Sequence, residues 1–230
     1  MISDPVNRVL ALRQLLRERF PAAHPRSAAE ATPPPPPPDP DGDPAPVEVD
    51  FSPGEIYEVV AEQPNFAGAQ MGCGGALLIG DLLNRSGQEG RILVLVDGKD
   101  SFDPDSFDEA QCRQLLWLRC RDASQALQAT DLLLRDGNLP TILLDLQLNP
   151  LTELQSLPPS TWHRFRGLAE QSGVALLVLT PAPIVTSAHR RFTLQRRGQP
   201  SDLDMPRELL SARSRPILTR RRKFSRRLSA

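Results

Sequence analysis

At 230 residues with 40% hydrophobic content, the chain can bury one domain of about 150 residues and carry appendages besides. Its three cysteines, Cys73, Cys112 and Cys120, are odd in number and lack paired spacing; with no signal-like start and no apolar run of about 18 residues, the sequence argues against a disulfide scaffold and a membrane span, and the expected compartment is a reducing cytoplasm. The net charge of −1 conceals an asymmetry: residues 1–110 hold 19 acids against 8 bases, residues 111–230 hold 9 against 19, and 13 of those bases lie beyond residue 188.

The first element, residues 3–20 (SDPVNRVLALRQLLRERF), opens with Ser3 as a cap and Pro5 in the first turn. It then sets Val6, Val9, Leu10, Leu12, Leu15, Leu16 and Phe20 largely on one stripe, the pattern of an amphipathic helix. The stretch that follows contains six consecutive prolines and repeated aspartates. It cannot form a core and is expected to be an extended, semi-rigid spacer. The expected organisation is a helix within 1–24, a linker over 25–46, a core domain over 47–197 and a basic, largely disordered tail over 198–230.

Within the core, short apolar runs alternate with helical patterns. Strands are expected over 56–61, 91–97, 115–120, 141–146 and 174–180, and helices over 74–86, 122–136 and 160–172. Continuous apolar strands separated by helices indicate a mainly parallel sheet covered on both faces, a doubly wound α/β domain. Asp122 and Ser124 suit the start of one helix, Gly137 its end, and Ser160 or Thr161 the start of another. Residues 190–197 (RRFTLQRR) alternate as an exposed or edge strand would.

In such a sheet ligands sit beyond the carboxyl ends of the strands. There, after the first strand, lies AEQPNFAGAQMGCGGALLIGDLLN (61–84), with Gly68, Gly72, Gly74 and Gly75. A phosphate loop reads GxxxxGK[ST]: its backbone amides wrap the phosphates, the lysine reaches the outer ones and the hydroxyl holds magnesium. Here Gly75 stands at the lysine position and Ala76 at the hydroxyl position, and the chain has only two lysines, Lys99 and Lys223. The glycines are read first as serving a tight strand-to-helix turn and close helix-to-sheet packing, with residual nucleotide binding through backbone amides and the helix N-terminus as the alternative.

Other motifs carry less chemistry. The acidic segment VDGKDSFDPDSFDEA has no register with both the glycine and the twelfth-position glutamate of a calcium loop. It reads instead as a helix start, with Asp103 as cap, Pro104 at the first position, and Asp105, Asp108 and Glu109 near the positive end. Asp145, closing the apolar strand TILLDL, is placed as a Walker B aspartate would be, and equally as a cap for the next turn. His24, His163 and His189 lack metal-ligand spacing to cysteine, and no GxSxG occurs. Cys73 suits either a turn-activated thiol or a small packing residue. No catalytic residue, metal site or cofactor is assigned. The tail RSRPILTRRRKFSRRLSA has eight bases and no acids; if it is more than a solvated segment, Arg220, Arg221, Arg222, Lys223, Arg226 and Arg227 are the candidates for contact with phosphates or an acidic partner.

With these landmarks placed, GEIYEVV before the glycine loop, VDGKDSFDP after the second strand and ILLDL on a later one resemble three successive landmarks of the RecA family. The chain is most similar to the ImuA group, RecA-like accessory proteins of bacterial mutagenic translesion synthesis, also labelled SulA-like. Carried over by position, the phosphate-loop lysine falls on Gly75, its hydroxyl partner on Ala76 and the catalytic glutamate on Lys99, while Asp145 keeps its residue type. The segments matching RecA's DNA-binding loops, QLNPLTELQSLPP and PAPIVTSAHR, are short and hardly basic. The resemblance implies a noncatalytic scaffold within the DNA-damage (SOS) response. Its implied partners are an ImuB-type inactive Y-family polymerase, RecA and an error-prone replicative polymerase, with DNA contact through the basic tail, no membrane association and an open possibility of homo-oligomers. The tethered helix, through Val6, Val9, Leu10, Leu15 and Leu16, would be a docking element. Two readings stand beside it: a weak ATPase using Asp145 and a noncanonical loop, and a SulA-type inhibitor of cell division.

Overall fold

A computed structural model describes residues 51–61, 74–194, 205, 210 and 216–221, all within one compact unit that spans Pro44–Ala230. The expected helix over 3–20, the proline-rich spacer, Gly68, Gly72, Cys73 and the tail beyond Arg221 lie outside the described residues.

The elements run β1 (Ile56–Val60), α1 (Gly75–Glu89), β2 (Leu93–Asp97), a 3-10 turn (Pro104–Ser106), α2 (Glu109–Cys112), β3 (Leu115–Arg119), α3 (Ala123–Asp136), β4 (Thr141–Asp145), α4 (Leu151–Gln155), α5 (Pro159–Ser172), β5 (Ala175–Thr180), β6 (Arg190–Thr193) and β7 (Ile217–Arg221). The strands form one sheet in the order β3-β2-β4-β5-β1-β6-β7. Every neighbouring pair is parallel except β6 and β7, which are antiparallel. This is the expected doubly wound, mainly parallel α/β architecture.

The period of two along a strand divides the core. Leu93, Leu95, Leu143, Leu177 and Leu179 face the side covered by α1, through Leu78, Ile79, Leu82 and Leu83. Val94, Val96, Ile142, Leu144, Leu176 and Val178 face the side covered by α3 and α5, through Ala126, Leu134, Trp162 and Phe165. Strands buried on both faces need apolar residues at successive positions, which is why LVLVD and TILLD read as continuous runs. Among the described residues, no helix is long and apolar enough to cross a membrane.

Helix ends follow local chemistry. Asp122 caps α3 by accepting from the Gln125 amide, and Gly137 closes it in the left-handed conformation with φ 71°. Neither Ser160 nor Thr161 caps α5: the chain enters through Pro158 and Pro159, with no side-chain cap, because proline's fixed φ suits the first turn and its missing amide needs no partner there. The single helix expected after Asp103 is two pieces. Asp103 caps the 3-10 turn with Pro104 in its first turn, and Asp108 starts α2 in a reciprocal capping box with Gln111. Two competing caps five residues apart leave no room for one continuous helix.

The expected disordered tail is corrected in part. Ile217–Arg221 forms β7, pairing Thr193 with Ile217 and Arg190 with Arg221 across an irregularity between Arg191 and Phe192. The strand borders β6 and packs Leu218 against the core, which a count of arginines does not reveal.

Candidate functional site at the carboxyl edge of the sheet

The carboxyl ends of β2 and β4 lie side by side, with Asp97 paired in register to Asp145. Both residues have the parity of the α1-facing set, so their side chains point toward the face from which α1 begins. Each is buried, Asp145 being 4% exposed and Asp97 fully enclosed, and two adjacent buried carboxylates demand compensation.

Asp97 is compensated by its own loop and by β3. It accepts from the Ser101 amide at 2.7 Å, the Phe102 amide at 2.8 Å, the Lys99 amide at 3.2 Å, the Ser101 hydroxyl at 3.2 Å and the Trp117 indole at 3.3 Å. This carboxylate holds the turn after β2 in shape. Asp100, next along, sits at φ 52° and pairs with Arg119, whose guanidinium draws its carboxyl below the usual range. The acidic segment is thereby accounted for within the protein, by caps at Asp103 and Asp108 and by these two contacts. Among the described residues, no group of three or more His, Cys, Asp or Glu side chains is arranged to hold a metal ion.

Asp145 is compensated by Gln147. The Gln147 amide donates to one carboxylate oxygen and its side-chain carboxamide to the other, both at 3.0 Å. These bonds favour the ionised form, but burial outweighs them and, with the nearby Asp97 charge, pushes the Asp145 carboxyl up to about 6. Gly98 closes the strand ends together: its amide donates to the Asp145 carbonyl at 2.8 Å, and its carbonyl accepts from Asn149 at 3.0 Å. A methyl at Gly98 would lie 2.6 Å from Asn149 Oδ1 and 2.8 Å from the Asp145 carbonyl, so glycine is required by close approach.

Opposite this pair stands the start of α1. Gly74 occupies the cap position at φ 85°, a left-handed conformation, and no side chain caps the helix. Its carbonyl accepts from the amides of Leu77 and Leu78. Gly75 is buried as the first helical residue and Ala76 is exposed. A Cβ added to Gly75 would overlap Gln147 Oε1 and lie 2.9 Å from its Cδ. The carboxamide that binds Asp145 thus rests on the Cα of Gly75. The position matched to a phosphate-loop lysine, the Walker B-like aspartate and a glutamine that sequence reasoning passed over form one packed group. Any side chain at 75 would begin against the carboxamide of Gln147. Lys99, at the position matched to the catalytic glutamate, is exposed just past Gly98.

A second charged site, unmarked in the sequence analysis, lies inside the sheet. Glu58 in β1 is fully buried, and its carboxylate accepts from the Ile184 amide at 2.6 Å, the Val185 amide at 2.8 Å, the Thr180 hydroxyl at 3.3 Å and Arg191 in β6. It joins the ends of β5 and β6 to β1. Its only sequence signal is a single acid within IYEVV opposite an arginine-bearing strand.

The remaining candidates are dispersed. His163 is exposed on α5, while His189 Nδ1 accepts from the Ile56 amide at 3.4 Å, and burial pulls its imidazole below the ordinary value. Burial raises the Cys120 thiol, which makes it a poor nucleophile. Arg220 and Arg221 belong to β7. Val6, Val9, Leu10, Leu15, Leu16, Gly72, Arg222, Lys223, Arg226 and Arg227 lie outside the described residues. On the α3–α5 face a groove of about 520 Å³ is lined by Leu127, Leu132, Leu157 and Phe165 around Asp131 and Arg164, which are joined by an ion pair of 2.6 Å.

No protein-family model matches the chain, and no curated protein is significantly similar to it. A solved structure described as the RadB recombinase is similar at a TM-score of 0.48 with 12% identity, over 65% of this chain and 78% of that one.

Proposed function

We propose that this protein is a noncatalytic, RecA-like accessory scaffold of DNA-damage-induced translesion synthesis, acting through contacts with an ImuB-type polymerase-like protein and RecA. The observation that carries the noncatalytic part is the packed group of Gly75, Gln147 and Asp145: the place of the phosphate lysine is taken by a neutral carboxamide, and the Walker B-like carboxylate is bonded to that same side chain. Phosphoryl transfer depends on cations placed against developing negative charge, and a carboxamide cannot supply one. Lys99, at the position matched to the residue that activates water, places an amine where that role calls for a carboxylate.

The assignment to translesion synthesis rests on the resemblance to the ImuA group: the RecA-like landmarks GEIYEVV, VDGKDSFDP and ILLDL, which here lie on β1, β2 with its following turn, and β4, combined with the replaced positions Gly75, Ala76 and Lys99. Function then falls to contact surfaces, with the amphipathic segment 3–20 and the basic segment 220–227 as docking elements. The test is capture of a purified ImuB-type protein by the full chain, by a chain lacking residues 1–24 and by a chain ending at Arg221. The tail deletion begins after Arg221 because β7 is part of the sheet. Capture by the full chain, weakened at least tenfold by one deletion, is expected. Absence of capture by the full chain refutes the partner assignment, and capture untouched by either deletion refutes both docking elements.

A further inference from the structure

Resting on the noncatalytic reading, we propose that Gln147 is the residue that closes the site to nucleoside triphosphates, and that Gly75, Gln147 and Asp145 are an interlocked unit rather than three independent losses. A degenerate loop that had merely lost its lysine would leave a space above the first turn of the helix. Here the Gln147 carboxamide lies against the Gly75 Cα so closely that even a methyl group there overlaps it. The same carboxamide donates to Asp145 Oδ2 while the Gln147 backbone amide donates to Oδ1, so one residue binds both oxygens of the carboxylate. The two contacts depend on each other. A side chain at 75 displaces the carboxamide, and displacing it leaves a buried carboxylate oxygen without that donor.

Glycine at 75 is in this view a requirement set by Gln147. Glycine at the first turn of a helix otherwise has no advantage over alanine, and Gly75 is not in the left-handed region that would demand it. Gln147 is reached only two residues beyond Asp145, in the turn that ends β4, which fixes its backbone amide on the carboxylate and leaves its side chain the length needed to reach across to α1.

The experiment combines stability and binding in the full-length chain. Urea unfolding is measured for wild type, Gly75→Ala, Gln147→Ala and the double variant, and binding of a fluorescent ATP analogue with magnesium is measured for wild type, Gln147→Ala, Gly75→Lys and Gly75→Lys/Gln147→Ala. Gly75→Ala is expected to lower the folded-to-unfolded ratio about tenfold when Gln147 is present and to leave it unchanged or raise it when position 147 is alanine. Gly75→Lys/Gln147→Ala is expected to bind the analogue at least tenfold more tightly than wild type or either single variant. Equal effects of Gly75→Ala in both backgrounds overturn the interlock, as does a folded lysine double variant that binds no better than wild type. If wild type itself hydrolyses ATP, the noncatalytic reading fails whatever the coupling; if wild type is inert and the coupling is absent, only the role of Gln147 fails.

Discussion

Asp145→Asn should make the protein more stable at neutral pH and less sensitive to pH. Burial and the neighbouring Asp97 raise the Asp145 carboxyl from its ordinary 3.8 to about 6 despite the two bonds from Gln147. Because the folded value lies above the unfolded one, this group's contribution is most favourable below pH 4 and is lost as pH rises through 6. Each tenfold change in proton affinity is about 1.4 kcal/mol, so holding the ionised carboxylate in its site costs about 3 kcal/mol above pH 6. Asparagine removes that cost while keeping one acceptor for Gln147; the second bond is lost, worth about 1 kcal/mol. The net gain is then about 2 kcal/mol at pH 7.5, changing to a loss of about 1 kcal/mol at pH 4. Urea unfolding of both proteins at pH 4, 5, 6 and 7.5 checks this, because carboxylates common to both cancel in the difference. A difference independent of pH, or an Asp145→Asn chain less stable than wild type at pH 7.5, would refute the reasoning.

Three other perturbations follow from the same packing. Arg191→Ala strips the buried Glu58 of its counter-ion and should cost about 3–5 kcal/mol by urea unfolding; a loss under 1 kcal/mol would mean that the Ile184 and Val185 amides and the Thr180 hydroxyl suffice to hold the carboxylate. Gly98→Ala forces a methyl against the Asp145 carbonyl and should cost about 1–3 kcal/mol; calorimetry showing an unchanged midpoint would contradict the close approach. A chain ending at Arg213 loses β7 and uncovers Phe192, whose register partner is Leu218, so its thermal midpoint should fall by several degrees while a chain ending at Arg221 melts as wild type does; equal midpoints for the two would contradict a structural role for β7.

The sheet was legible because its strands are buried on both faces and therefore apolar without interruption, and α3 because Asp122 and Gly137 mark its ends with side-chain and backbone chemistry. The start of α5 was misplaced because two prolines define it and the usual hydroxyl caps, Ser160 and Thr161, follow too late. The short helix α4, within LTELQ, lies in a segment read as a connection; five residues are too few for a periodic pattern to stand out. The strand β7 was hidden by arginines, since an edge strand can carry charge on its open side and only Leu218 packs against the core. In the site, Gly75 at the head of α1 and Asp145 at the end of β4 were placed from sequence position alone. Gln147 was not, because a glutamine after a strand carries no signal until the fold brings it onto Gly75. Glu58 was missed for a related reason: a buried acid is credible only once Arg191 and two amides are seen around it.

The most direct test of the central claim is steady-state phosphate release from ATP by the full-length chain with magnesium, alone and with an ImuB-type partner, measured beside Asp145→Asn. No release above that of buffer is expected from either protein in either condition. Saturable release by wild type that Asp145→Asn abolishes would contradict the account.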